Sequence, residues 1–155
     1  MPTSDLAVNK FKEGYNCAQS VLFSYADRLN ISTDTALKIA TGFGGGMGRK
    51  QEVCGAVSGA IMVLGLIYGR GEHDGREKQE TTYATVRELI DGFTNECGSI
   101  NCKELLSECE LLTAEGQKRF IDEKMVERCY GYVERVCVGL DRLTAQPCKP
   151  DCTCE

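Results

Sequence analysis

Val53-Cys54-Gly55-Ala56-Val57-Ser58-Gly59-Ala60-Ile61-Met62-Val63-Leu64-Gly65-Leu66-Ile67-Tyr68-Gly69 is a run of seventeen residues without a charge. A membrane-spanning helix needs roughly 20 apolar residues, and Glu52 and Arg70 close the run on both sides. The stretch therefore reads as a helix buried within a protein, not within lipid. Gly55 and Gly59, followed by Ala56 and Ala60, recur at the spacing that lets neighbouring helices approach closely. A glycine- and alanine-rich central helix needs other helices around it, and the flanking sequence supplies them.

Upstream, Gly42-Phe43-Gly44-Gly45-Gly46-Met47-Gly48 interrupts any regular pattern. Before it, Ser32 or Thr33 is placed to cap a short helix running through Ile39 and Ala40. Residues 5–29 carry Ala7, Phe11, Ala18, Val21, Leu22, Tyr25 and Leu29 at helical spacing, which predicts one wide buried stripe. Downstream, Gly69 to Gly75 is a polar loop holding His73, the one histidine. Residues 77–96 predict an amphipathic helix with Tyr83, Val86, Ile90 and Phe93 inward. Asn101 followed by Glu104 resembles a capping box, so a short helix should pass through Leu105 and Leu106 towards Cys109. Thr113 to Lys118 has no clear pattern. A last helix is predicted from about Asp122 to Leu143, with Val126, Cys129, Val133, Val136, Leu140 and Leu143 on its apolar face. No run alternates with period two. The expectation is an all-α compact bundle of about five or six helices, one domain over residues 1–144, with a cysteine-containing tail over 145–155.

Composition narrows the function. The 155 residues are 42% hydrophobic and 26% charged, with a net charge of −5, which suits one domain with a real core. No basic face or tail appears, so nucleic acid is not an expected partner. No apolar segment of signal-peptide type opens the chain, which sets the cytoplasm as the expected compartment. Thiols are normally reduced there, so ten cysteines point to metal binding or redox chemistry before a disulfide frame.

The cysteines differ in setting. Cys17 lies beside the first apolar stripe, with Gly14 leaving room near its sulfur. Cys54 falls in the first turn of the central helix, beside Arg49 and Lys50, where helix amides favour a thiolate. Cys102 follows the cap Asn101 and invites the same argument. Cys97 precedes it by five residues, a spacing that suits a disulfide or two ligands and is diagnostic of neither. Cys109 reads as filler. Cys129 and Cys137 stand eight residues apart on one helix, about 12 Å, so they face different partners or fill the core. Cys148, Cys152 and Cys154 are too close-set for the common zinc patterns, though they remain available as extra ligands. The glycine-rich loop fails as a nucleotide site, since Arg49 follows Gly48 where a P-loop needs lysine and Ser/Thr. Cys-x-x-Cys-His is absent, which excludes covalent c-type haem in its usual form.

Asn16-Cys17-Ala18-Gln19-Ser20-Val21, then Phe43 with its glycines, then Glu52-Val53-Cys54-Gly55-Ala56-Val57-Ser58-Gly59-Ala60 resemble the redox-active family C_GCAxxG_C_C. The similarity continues through Cys102-Lys103-Glu104-Leu105-Leu106 into the last helix and covers roughly residues 10–143. That family is defined by four cysteines, matched here by Cys17, Cys54, Cys102 and Cys129, with Cys137 as a substitute for the last. The resemblance implies a small helical redox domain, an oxidoreductase component that holds an iron–sulfur cluster or another prosthetic group.

Two functions follow as expectations. In the first, Cys17, Cys54, Cys102 and Cys129 converge on one redox site, cycling between dithiol and disulfide or holding a four-cysteine cluster. Cys54 and Cys102 are then the low-pKa catalytic thiolates, and an unidentified redox protein is the partner. In the second, the chain is a non-catalytic zinc module whose ligands include Cys148, Cys152 and Cys154. Membrane insertion is not expected, and a homo-oligomer is left open.

Overall fold

The computed structural model describes residues 1–145. Its helices are α1 (Thr3–Lys12), α2 (Cys17–Ala26), α3 (Thr33–Ala40), α4 (Gly55–Tyr68), α5 (Arg76–Cys97), α6 (Cys102–Leu105), α7 (Ala114–Asp122) and α8 (Val126–Ala145). The described residues contain no strand, only an isolated antiparallel bridge between Val53 and Asn101. The all-α expectation holds. Among the described residues no helix is long and apolar enough to cross a membrane.

The predicted helix over 5–29 is two helices. Asn16 caps α2: its side-chain oxygen accepts from the Gln19 N–H, and the Gln19 side chain accepts from the Asn16 N–H, at 2.9 and 3.0 Å. This reciprocal pair satisfies amides that a continuous helix would bond internally, so it fixes a new start at Cys17. Ser32 caps α3 as expected, accepting from the Thr35 N–H at 3.0 Å. Thr113 likewise caps α7 through the Gly116 N–H, which turns the ambiguous stretch into a helix. The last helix begins at Val126, four residues later than predicted.

α4 packs against α2, α5 and α8. At Gly59 a Cβ would come within 2.8 Å of the Ala18 carbonyl oxygen, so glycine is what lets α2 lie against α4. Leu22, Tyr25, Val57, Leu64, Val133 and Leu140 are buried around this contact. Truncating one of the leucines to alanine would cost about 2–5 kcal/mol.

Tyr83 does not turn inward; it is 52% exposed, and Leu89 and Phe93 take the buried positions of α5. The reason is length. α5 has 22 residues against 14 in α4, and the Cys54 N–H bond to the Ile100 carbonyl pins the end of α5 near the start of α4. The first turns of α5 therefore overhang the core.

Candidate functional site

Four cysteines stand at the starts of four helices. Cys17 and Cys102 are the first residues of α2 and α6, Cys54 is the cap residue of α4, and Cys129 lies in the first turn of α8. All four line one cavity of about 730 Å³. The sequence placed Cys17 in mid-helix beside Gly14, but Gly14 belongs to the break before α2.

The bridge between Val53 and Asn101 brings two of these starts together. Cys54 donates its N–H to the Ile100 carbonyl and Cys102 to the Glu52 carbonyl, both at 2.7 Å. Gln51, itself buried, fastens the next loop. Its amide nitrogen donates to the Cys109 carbonyl at 2.6 Å, and its amide oxygen accepts from the Leu111 N–H at 2.9 Å. Tyr132 of α8 donates to the Leu105 carbonyl at 2.9 Å and ties α8 to α6.

The glycine-rich segment forms one wall. Consecutive residues Gly45, Gly46, Met47, Gly48 and Arg49 all have positive φ, between 60° and 67°. A left-handed turn of this kind strains Met47 and Arg49 by roughly 1–2 kcal/mol each. Gly46 is required twice over. It has φ +67°, and a Cβ there would sit 2.7 Å from the Cys102 Cβ.

Burial reverses the expected thiol order. The backbone amides of Ala56 and Val57 do favour a Cys54 thiolate, but desolvation is larger and pushes its pKa up to about 11. Desolvation pushes Cys102 up to about 12, with the Cys54 and Cys129 sulfurs adding to the rise. These two are therefore protonated at neutral pH, not low-pKa thiolates. The depressed thiol is Cys129, whose anion is held chiefly by a hydrogen bond from Cys17 and then by the Arg128 guanidinium. Cys17 rises in return, because losing its proton would break that bond, and burial adds to the effect.

The other cysteines lie apart. Cys137 is fully buried in the core, so of the two candidates on α8 it is Cys129 that reaches the cavity. Cys109 is buried and donates to the Gly116 carbonyl at 3.1 Å, as filler would. Cys97 is half-buried with the Arg135 guanidinium 3.7 Å from its sulfur, and it does not line the cavity. Cys148, Cys152 and Cys154 lie outside the described residues. His73 is exposed. Gln51 and Tyr132 carried no signal in the sequence; one is an ordinary loop glutamine and the other a helical tyrosine.

Among the described residues no group of three or more His, Cys, Asp or Glu side chains is arranged to hold a single metal ion. A zinc site of the usual closed type has no ready-made ligand set there. An iron–sulfur cluster makes a different demand, four thiolates around a larger body. The donor chemistry fits that demand: four thiols line the cavity and no carboxylate does.

The family model described as "Putative redox-active protein (C_GCAxxG_C_C)" matches residues 15–143, a span that contains all four cavity cysteines. A protein of Archaeoglobus fulgidus, described as "Uncharacterized protein", is 28% identical over 123 residues, covering 75% of this chain and 82% of its own. No solved structure matches the chain.

Proposed function

Because the chain belongs to the redox-active family C_GCAxxG_C_C, we propose that it is a thiol–disulfide redox protein whose exchanging pair is Cys17 and Cys129. The observation that carries this reading is that thiols from four separate segments line one cavity; the depressed Cys129 and raised Cys17 support it. A thiolate is the attacking species in disulfide exchange, and the pair supplies one with its resolving thiol alongside.

The step balances as an exchange. The Cys129 thiolate attacks a disulfide of a partner protein or small molecule, forms a mixed disulfide and releases one thiolate. Cys17 then gives up its proton to that leaving thiolate and attacks the Cys129 sulfur. The second sulfur departs as a thiolate, and a Cys17–Cys129 disulfide remains. The pair loses two electrons, and the partner disulfide gains them. Cys54 and Cys102 stay protonated beside the pair.

A second reading has support from the lining, which offers four thiols and no carboxylate. Cys17, Cys54, Cys102 and Cys129 would hold an iron–sulfur cluster, which supplies one-electron transfer when bound. The two readings separate on one preparation. Anaerobically purified protein is treated with oxidised glutathione, digested and mapped by mass spectrometry. The dithiol reading expects a Cys17–Cys129 linked peptide and a loss of two free thiols. Linkage elsewhere, or none, defeats it. Stoichiometric iron and acid-labile sulfide before oxidation would establish the cluster in its place.

A further inference from the structure

We infer that the cysteine cavity binds an organic anion carrying a planar ring. This rests on the reading of the cavity as the redox site and specifies what enters it. Size comes first. At about 730 Å³ the cavity lies within the range, roughly 300–1,000 Å³, of sites for organic ligands. An inorganic oxyanion would leave most of it to water, since one water takes about 30 Å³.

Charge gives the sign. The protein carries −5 overall, yet the charged side chains lining the cavity are Lys12 and Arg49, both cationic. No Asp or Glu lines it. Neither cation makes an ion pair among the described residues. Lys12 instead lies 5.4 Å from the centre of the Tyr130 ring. Two cations in the lining of a cavity in an acidic protein, with no carboxylate in that lining, favour a negative ligand.

Shape gives the ring. Phe11, Tyr15, Phe120 and Tyr130 line the same cavity, and Phe11 meets Tyr130 edge to face at 5.0 Å. Such walls bind planar groups through their faces and edges. Arg49 reaches the cavity from the left-handed turn, at φ +65°. A non-glycine residue held in this conformation is more common at ligand sites than elsewhere. The anionic group would pair with Arg49 or Lys12, and the ring with the aromatic side chains of the same lining.

The test uses two dyes that share a ring system. 8-Anilinonaphthalene-1-sulfonate carries a sulfonate, and N-phenyl-1-naphthylamine does not. Fluorescence titration should find one saturable site for the sulfonate. It should bind at least about tenfold tighter than the neutral dye, the effect of one charge-assisted contact. Arg49→Gln should weaken the sulfonate several-fold and leave the neutral dye unchanged. Lys12→Gln should do the same from outside the strained turn, which guards against misfolding of the first variant. Bound sulfonate should also slow alkylation of Cys129. Equal binding of the two dyes, unchanged binding in both variants, or an unchanged rate of Cys129 alkylation at dye saturation would overturn the proposal. None of these readouts needs a Cys17–Cys129 disulfide, so failure of the exchange chemistry would be seen separately.

Discussion

Cys129 and Cys137 occupy one helix, about 12 Å apart, and differ in the direction of their thiol acidity. Cys129 borders the cavity, with Cys17 donating to it and Arg128 nearby, and its thiolate is favoured. Cys137 is sealed in the core against α2, and desolvation pushes it up to about 12 although Ser24 and Tyr25 both favour the anion. The same residue type on the same helix thus has opposite shifts in thiol acidity according to what surrounds it. Neighbouring polar groups favour the anion in both cases. Burial is the larger influence at Cys137, and a sulfur donor beside the anion is the larger influence at Cys129.

That contrast can be broken most sharply by alkylation. At pH 8 a thiol with pKa about 12 is ionised in only about one molecule in ten thousand, against about one in four for an ordinary thiol. Iodoacetamide should therefore label native Cys129 at least about a thousandfold faster than Cys137, as read by peptide mass spectrometry. Equal rates would erase the distinction.

Stability against pH sharpens it further. Cys54, Cys102 and Cys137 have folded pKa values of about 11, 12 and 12, above the ordinary thiol value near 8.5. Raised values mean that the unfolded chain loses these protons first. Their contribution is whole below about pH 8.5 and is lost as pH rises towards 12. The urea midpoint should fall steadily across that window, and Cys137→Ala should flatten part of the fall. A midpoint independent of pH would show that these thiols are not desolvated.

At neutral pH, Cys137→Ala should cost about 1 kcal/mol in urea unfolding, the loss of one well-packed group. Cys129→Ala, at the cavity edge, should cost less, because part of its side chain faces the cavity and not packed neighbours. The reverse order would make Cys129 the better packed of the two. Cys17→Ala removes the donor to the Cys129 anion, so the pH midpoint of Cys129 alkylation should move upward. Arg128→Gln should move it in the same direction by less, because its influence is the smaller of the two. An unmoved midpoint in Cys17→Ala would mean that the pair does not share a proton.

Local signals in the sequence carried most of the fold. The uncharged run, the Ser32 cap and the Asn101 cap depend on neighbouring residues, and Asn101 does accept from the Lys103 and Glu104 amides. The break before α2 was hidden because Ala7, Phe11, Ala18 and Val21 keep one apolar stripe across it. The overhang of α5 was hidden because it depends on where α4 begins. At the site, the family pattern pointed to the four cysteines, but their acidity was misread. A helix start advertises its amides in the sequence, whereas the depth at which a sulfur will lie is set by the whole packed chain. The Val53–Asn101 bridge spans one pair of residues, too short for any periodicity to announce it.

Because Cys17, Cys54, Cys102 and Cys129 are spread along the chain, the cavity wall is closed by the last helix. During synthesis three of these thiols leave the ribosome well before the fourth. Until α8 docks, Cys17 lacks its acceptor and Cys129 lacks its donor. On the proposed reading, the Cys17–Cys129 pair is therefore completed only when α8 docks, and a chain cut short before Cys129 would have a part-built cavity wall.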